Sequence, residues 1–512
     1  MVGKAFNPRL LALALAACWA GAAGAASWDI QPGVSARATA SDNSTQGGSG
    51  GSTIYATTIS PTLDLNTRGE GPLTAAASYR LNSVNRFGGS VSDKSDLTHV
   101  FSGNGHLDVI NDLLFLDAQA HYTQLLASLL EAPTDQSVNN TNRVNASSYT
   151  LAPSLVKRLG AHTTGKLGYT LGEVKQSGPA GNHGRFQVYE ASLDGDPGGG
   201  RLGWGLSYQM RDATNTRYSD MVLERYGVSA SYLLDRTFRV LATYGDERNQ
   251  YDSVLRTGGA YYSLGFAWAP SQRSSLEMTV GKRYFGNTYS LKASHKTRAT
   301  TWHASYAEDI SDFSRQQVEY SDQLYWISPS TGGLSNSPTP PDDASDWIRI
   351  TAQDLALIGG LDTATLTALG VYDYIGPGRG IYVSKILHAG VDWKLGKLGL
   401  GVFLADLKRL YQLTAGAEDR KSSFGVSASY QLGAKTTLDA RLTQNRVLLP
   451  ALLYGLAADR QDDYTLLDLG ATRRFSEKLT GSLYLRRHER DSDAANADYV
   501  ENSISASINY QF

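Results

Sequence analysis

The sequence predicts an all-β fold, a single antiparallel β-barrel that crosses a membrane, and three observations carry that prediction. The first is the terminal run Ser503–Phe512. There Ile504, Ala506, Ile508, Tyr510 and Phe512 alternate with Ser503, Ser505, Ser507, Asn509 and Gln511. A period of two puts each set on its own face of a strand, one face suited to lipid and the other to water. The second observation is that the polar faces of similar runs carry charges, which a soluble sandwich core accepts only at a large cost. The third is the rhythm of connections, in which short polar turns alternate with long stretches rich in Asn, Asp, Ser and Gly.

The alternation recurs from a first strand near Trp28–Ala40 onward. Leu73, Ala75, Ala77, Tyr79 and Leu81 oppose Thr74, Ala76, Ser78, Arg80 and Asn82. Tyr226, Val228, Ala230, Tyr232 and Leu234 oppose Gly227, Ser229 and Ser231, and Tyr262, Leu264, Phe266 and Trp268 oppose Ser263, Gly265 and Ala267. Phe424 to Leu432 and Leu438 to Leu442 repeat the pattern. Leu107–Leu130 is rich in Leu and Ala, but Phe115, Asp117, Gln119, His121 and Thr123 against Leu116, Ala118, Ala120 and Tyr122 favours a strand.

Tight turns are expected at Asp235-Arg236, Pro270–Arg273, Leu395–Lys397, Gly433–Lys435 and Ser476–Lys478. Long stretches at Ser41–Ser52, Ala127–Arg143, Ser311–Ser345, Leu413–Arg420, Leu448–Asp463 and Asp491–Asp498 then all fall at the opposite end. Gly286-Asn287 reads as a tight hairpin at that end, with Gly supplying positive φ. The expected count is about 24 strands, with roughly 20 to 26 compatible and an even number favoured.

The ends and the composition agree. Lys4 and Arg9 precede Leu10–Trp19, an apolar run shorter than the roughly 20 residues a helix needs to span a bilayer. Ala23-Gly24-Ala25 follows, so Met1–Ala25 reads as a removed secretory signal, with residues 26–512 forming one barrel domain. Leu15-Ala16-Ala17-Cys18 keeps open a lipidated Cys18 instead. Cys18 is the single cysteine, so the mature chain on the main reading has no disulfide and no cysteine-based zinc site. The 29 Tyr, 8 Trp and 52 Gly against 15 Pro suit strands with a wet lumen face and aromatic girdles. A net charge of −2 leaves no nucleic-acid footprint.

Chemistry is sparse. Neither a Gly-x-Ser-x-Gly elbow nor His-Glu-x-x-His occurs, and His121 and His162 near serines say little in a Ser-rich chain. His488 reads as a solvated lumen residue. Asp194-Gly195-Asp196 lacks the spacing and closing Glu of a calcium loop. Asp342-Asp343, Asp462-Asp463 and Asp491–Asp493 are placed in outer loops, where they would bind cations alongside lipopolysaccharide or simply be solvated. The lumen face is assigned Arg80, Arg239, Arg283, Lys292, Arg441, Arg474 and Arg486 against Asp117, Glu277, Asp439 and Asp468. Either this basic excess favours anions and acidic sugars in the pore, or the charges pair across strands and fill the interior. Tyr320, Tyr325 and Trp326 in the longest loop either turn inward toward sugar rings or cap the barrel. No enzyme activity, metal or cofactor is expected.

Two resemblances add to this reading. A chain ending on a strand with Ile508, Tyr510 and Phe512 resembles the outer-membrane barrels of Gram-negative bacteria, which implies that these residues are an assembly signal read by the barrel assembly machinery. The stretch Trp28-Asp29-Ile30-Gln31-Pro32-Gly33-Val34, with Asp42-Asn43 and Ile59-Ser60-Pro61-Thr62-Leu63, resembles the outer-membrane proteins associated with the exosortase/PEP-CTERM system. That resemblance implies a non-enzymatic barrel that meets outer-membrane lipid and lipopolysaccharide and serves exopolysaccharide export or protein-sorting partners. A general or solute-specific porin, a barrel enzyme and a surface adhesin remain the alternatives.

Overall fold

The computed structural model describes residues 27–43, 51–68, 71–89, 94–131, 135, 137–178, 181–197, 200–321, 324–327, 334–335, 348–351, 380–414 and 416–512. The expected signal, residues 1–25, and Asp342-Asp343 lie outside them. Strands β1 (Ser27–Ser41), β2 (Ile54–Arg68), β3 (Leu73–Gly88), β4 (Ser95–Ile110), β5 (Leu114–Leu126), β6 (Arg143–Arg158), β7 (Thr163–Gln176), β8 (Asn182–Gly195), β9 (Leu202–Asn215), β10 (Met221–Leu233) and β11 (Phe238–Arg248) pair antiparallel in chain order. The short β12 (Gln250–Tyr251) only extends the edge of β10. The wall continues through β13 (Gly258–Ser271), β14 (Ser274–Arg283), β15 (Gly286–Lys296) and β16 (Thr300–Ser311).

After β16 the chain leaves the wall. It forms a helix, Phe313–Ser321, and a separate sheet of β17 (Leu324–Ile327), β18 (Leu334–Ser335) and β19 (Ile348–Thr351). It returns as β20 (Tyr382–Leu395), which pairs directly with β16. β21 (Leu398–Tyr411), β22 (Glu418–Gln431), β23 (Thr436–Leu449), β24 (Arg460–Arg474), β25 (Leu479–Ser492) and β26 (Tyr499–Gln511) complete the wall. β26 then pairs with β1, from Ser41 opposite Ser503 to Gly33 opposite Gln511. The result is a closed barrel of 22 strands, two short of the expected number but inside its range. Among the described residues between β16 and β20, none joins the ring.

The period of two sets which way side chains point. Ile508 is 56 % exposed on the outside, whereas Ser505 on the other face is 8 % exposed. Leu264, Val228, Leu404 and Leu485 are exposed on the same outer surface. An aromatic belt with Trp204, Trp268, Trp302, Tyr430, Tyr510 and Phe512 circles the short-turn end, and Tyr55, Phe87, Tyr244, Tyr262 and Tyr289 form a second toward the long-loop end. Two such belts bracket an apolar band. Beyond the second belt the outer face carries cross-strand ion pairs, Arg420–Asp406 at 2.8 Å, Lys408–Glu418 at 2.6 Å and Arg446–Asp463 at 2.7 Å. Such exposed pairs contribute little stability, but they mark where hydrocarbon has given way to water.

The residues behind the exosortase-type resemblance lie at the closing seam. Gly33 sits between β2 and β26, and a Cβ there would come within 2.6 Å of Thr62 Oγ1. Ser60 is buried and donates to Asn82 Oδ1 at 2.8 Å. The Phe512 N–H donates to the Pro32 carbonyl at 3.0 Å, and its ring packs edge-on against Tyr510. Deleting Phe512, or replacing it with Ser, should lower the yield of folded, heat-modifiable protein in cell envelopes. Undiminished yield from both variants would remove the terminal residue from any assembly role.

Candidate functional site

The lumen is narrowed at its long-loop end by two segments of the chain's own loops. The first is the helix Phe313–Ser321. Asp312 starts it, accepting from the Ser314 N–H at 3.0 Å and the Arg315 N–H at 3.3 Å, the arrangement by which a side-chain oxygen satisfies a free helix-end donor. The helix leaves β16 but binds the wall well round the ring. Asp312 pairs with Arg211 on β9 at 3.1 Å, and Gln317 donates to the Ser147 carbonyl on β6 at 2.9 Å. Phe313 packs among Val174, Phe186, Ala213 and Met221. Gly184 makes the approach possible, because a Cβ there would lie 2.4 Å from Ser314 Oγ.

The second segment is the β5–β6 connection, which folds inward toward the closing seam. Asp135 meets Arg37 on β1 at 2.7 Å and Arg486 on β25 at 3.8 Å. The Ser137 carbonyl accepts from Arg86 on β3 at 3.0 Å, and Asn140 donates to Asp96 on β4 at 2.7 Å. Burial pushes the Asp135 carboxyl up. The two guanidiniums and the Ser137 hydroxyl and N–H more than offset it, holding the group well below the usual carboxylate range.

Because the folded value is depressed, this stabilisation is present above the ordinary carboxyl value of 3.8 and is lost as pH falls through the folded one. A spin label on a cysteine placed at Glu131 should therefore be immobile at neutral pH and mobile in strong acid. In an Asp135→Asn background it should be mobile at neutral pH already. Equal mobility of the two proteins at neutral pH would mean that Asp135 does not hold the loop.

Further ion pairs brace the same level. Arg283 bridges Glu247 at 2.5 Å and Asp309 at 2.8 Å, and Arg315 joins Asp309 at 2.7 Å. Arg409 and Asp419 are fully buried and paired at 2.6 Å, with the Tyr411 and Tyr454 hydroxyls donating to the same carboxylate at 3.0 Å. Below this level the lumen is wetter. Exposed His106, Lys166, Arg239, Glu277 and Lys292 line it.

All seven predicted lumen cations face inward by register. Arg283 and Arg486 are spent on carboxylates, Arg486 meeting Asp468 at 2.6 Å. Lys292 lies directly opposite Glu277, and Arg441 opposite Asp468. Arg80 is buried, while Arg239 and Arg474 are exposed near the short-turn rim. The lower lumen therefore mixes both signs.

Several readings change. His488 is not solvated: it is 3 % exposed, stacked against Tyr464 and edge-on to Tyr499. Asp462 and Asp463 belong to β24 and not to a loop, and Asp462 is fully buried beside Arg460 at 2.9 Å. The hairpin between β14 and β15 turns at Tyr284-Phe285, with Gly286 at φ 129° closing it. Tyr320 falls in the inserted helix, and Tyr325 and Trp326 in β17; where their side chains point lies outside the described residues. Three histidines make cross-strand contacts. Ser102 meets His121 at 3.2 Å and Ser274 meets His295 at 2.8 Å, whereas His106 takes Asp117 at 2.7 Å. The inward fold of the β5–β6 connection was missed. For the longest loop an inward path was one of two alternatives, with Asp312 just before an apolar Phe313 a further signal of the helix.

No protein-family model and no curated protein matches the chain. Solved structures do. The FrpB iron transporter of Neisseria meningitidis matches in its F5-1 apoprotein form at TM-score 0.52 and 10 % identity, over 94 % of this chain and 81 % of that one. Its F3-3 variant matches at 0.50 and 11 %, over 94 % and 82 %. A ferric enterobactin receptor of Pseudomonas aeruginosa matches at 0.50 and 8 %, over 94 % and 81 %. The chain is a bacterial outer-membrane β-barrel. At these identities the likeness concerns the fold. The barrel's short turns and both ends of its wall therefore face the periplasm, and its long loops face outward.

Proposed function

We propose that this barrel passes small hydrophilic solutes across the outer membrane through a lumen narrowed by its own outer loops, as a solute-selective porin and not an enzyme. The observation that supports this most is the contrast along the lumen, a braced, loop-filled outer level above a wet lower level lined by His106, Lys166, Glu277 and Lys292. Barrels of 22 strands are wide enough to need such filling. Mixed lumen charge points to small polar solutes over a strong anion preference. Liposomes carrying the protein should swell in small neutral sugars and sugar acids at comparable rates, and not in oligosaccharides. Swelling no faster than in protein-free liposomes would contradict the reading.

A second reading, an accessory of surface-polymer export or protein sorting, rests on the Trp28–Val34, Asp42-Asn43 and Ile59–Leu63 motifs alone. Their seam positions give them a structural task as well. Loss of surface polysaccharide on deleting the gene, with solute uptake unchanged, would favour this second reading over the first.

A further inference from the structure

The outer face of the barrel has an alanine-floored groove at the level of the inner leaflet. Leu276, Ala293, Ala304, Ala389 and Leu404 lie side by side in register across β14, β15, β16, β20 and β21. Three successive alanines between two leucines leave a trough of about 650 Å³, walled by Trp268 and Trp302. Those indoles belong to the periplasmic belt, so the trough opens where acyl chains meet headgroups. At its lower rim Ser274 and His295 share a hydrogen bond of 2.8 Å on the outer face. Immediately beneath, three consecutive periplasmic turns carry Arg273, Arg298 and Lys397, all exposed, and no acidic residue. The next turn along the ring, Gly433–Lys435, is likewise basic, whereas Asp235-Arg236 and Glu477-Lys478 mix signs. Among the described residues none of these three cations is ion-paired.

We propose that the trough and the turns below it hold one anionic glycerophospholipid of the inner leaflet. Its acyl chains would lie on the alanine floor between Trp268 and Trp302. Its phosphate would sit at Arg273 and Arg298, with Ser274 and His295 at the glycerol level. An apolar trough takes chains of any phospholipid. The acid-free basic turns select the headgroup, since cations near a membrane surface attract anionic lipid. The inference is independent of whether solutes pass through the lumen.

The test is native mass spectrometry of the detergent-purified barrel, titrated with dioleoyl phosphatidylglycerol or dioleoyl phosphatidylethanolamine. One phosphatidylglycerol should be retained at concentrations at least about tenfold below those needed for phosphatidylethanolamine. Arg273→Glu with Arg298→Glu should abolish that preference, and these turn positions leave the wall intact. Ala304→Phe, which fills the trough, should weaken retention of the first lipid, with folding checked by heat-modifiability. Arg158→Glu, at the periplasmic end of β6 well round the ring, should leave it unchanged. Equal retention of the two lipids would overturn the proposal. So would an equal loss with Arg158→Glu, or a dimer that forms through the trough and excludes lipid.

Discussion

Replacing Asp419 with Ala should destabilise the barrel by roughly 3–5 kcal/mol, the usual cost of leaving one partner of a buried ion pair unmatched. Arg409 and Asp419 both have fully buried side chains, and the guanidinium approaches the carboxylate with two nitrogens, at 2.7 and 2.6 Å. Removing the carboxylate would strand the guanidinium beside Tyr382 and Tyr411 and take the acceptor from two tyrosine hydroxyls. Replacing both charges with apolar residues of similar volume should recover much of the loss, because neither ion then remains to be solvated. Denaturant titration of protein folded in lipid vesicles measures the difference. A single substitution within about 0.5 kcal/mol of wild type, as is typical of a surface position, would mean that the pair is hydrated and that the outer lumen is less filled than its packing indicates.

Phe266→Arg should cost about 2–4 kcal/mol, the range for a cation on the lipid face near mid-membrane. Phe266 stacks on Phe238 on the outer wall, between the Tyr262 and Trp268 belts. Ser263 faces the lumen, so Ser263→Arg should be tolerated well by comparison. A soluble sheet buried on the Phe266 side would give the same order, and a second readout separates the two. Fluorescent labels at Leu264 and Phe266 should be quenched by lipid-borne quenchers, and a label at Ser263 should not. Equal quenching at all three sites would put the register on the wrong face.

The wall was legible because its two faces meet different solvents, which forces a period of two on every strand. Short turns such as Gly433–Lys435 and the closing run to Phe512 were readable for the same reason. Alternation cannot tell a strand of the ring from one inserted beside it. β19 is a strand beyond the stretch Ser311–Ser345 read as a loop, yet β16 pairs straight to β20, so a count of strands can exceed the ring.

The loops were the harder part. A segment folded into a polar lumen needs the same Asn, Asp and Ser as one left in water, so composition around Asp135 was silent on its partners. Those partners, Arg37 and Arg486, are remote in sequence and meet Asp135 only when the barrel closes. His488 was misread in the same way. Its neighbours Arg487 and Glu489 suggested solvent, but it packs against Tyr464 and Tyr499 from the flanking strands.

The central claim is that solutes cross a lumen restricted by the inward loops. Single-channel recording in planar bilayers tests it most directly, comparing the wild type with a variant in which residues 128–141 are replaced by a short glycine-serine link. The wild type should show a small, stable conductance, and the loop variant should conduct several-fold more, since that segment and its anchors on β1, β3 and β25 would be gone. Wild type and variant conducting equally, or neither conducting at all, would contradict the account.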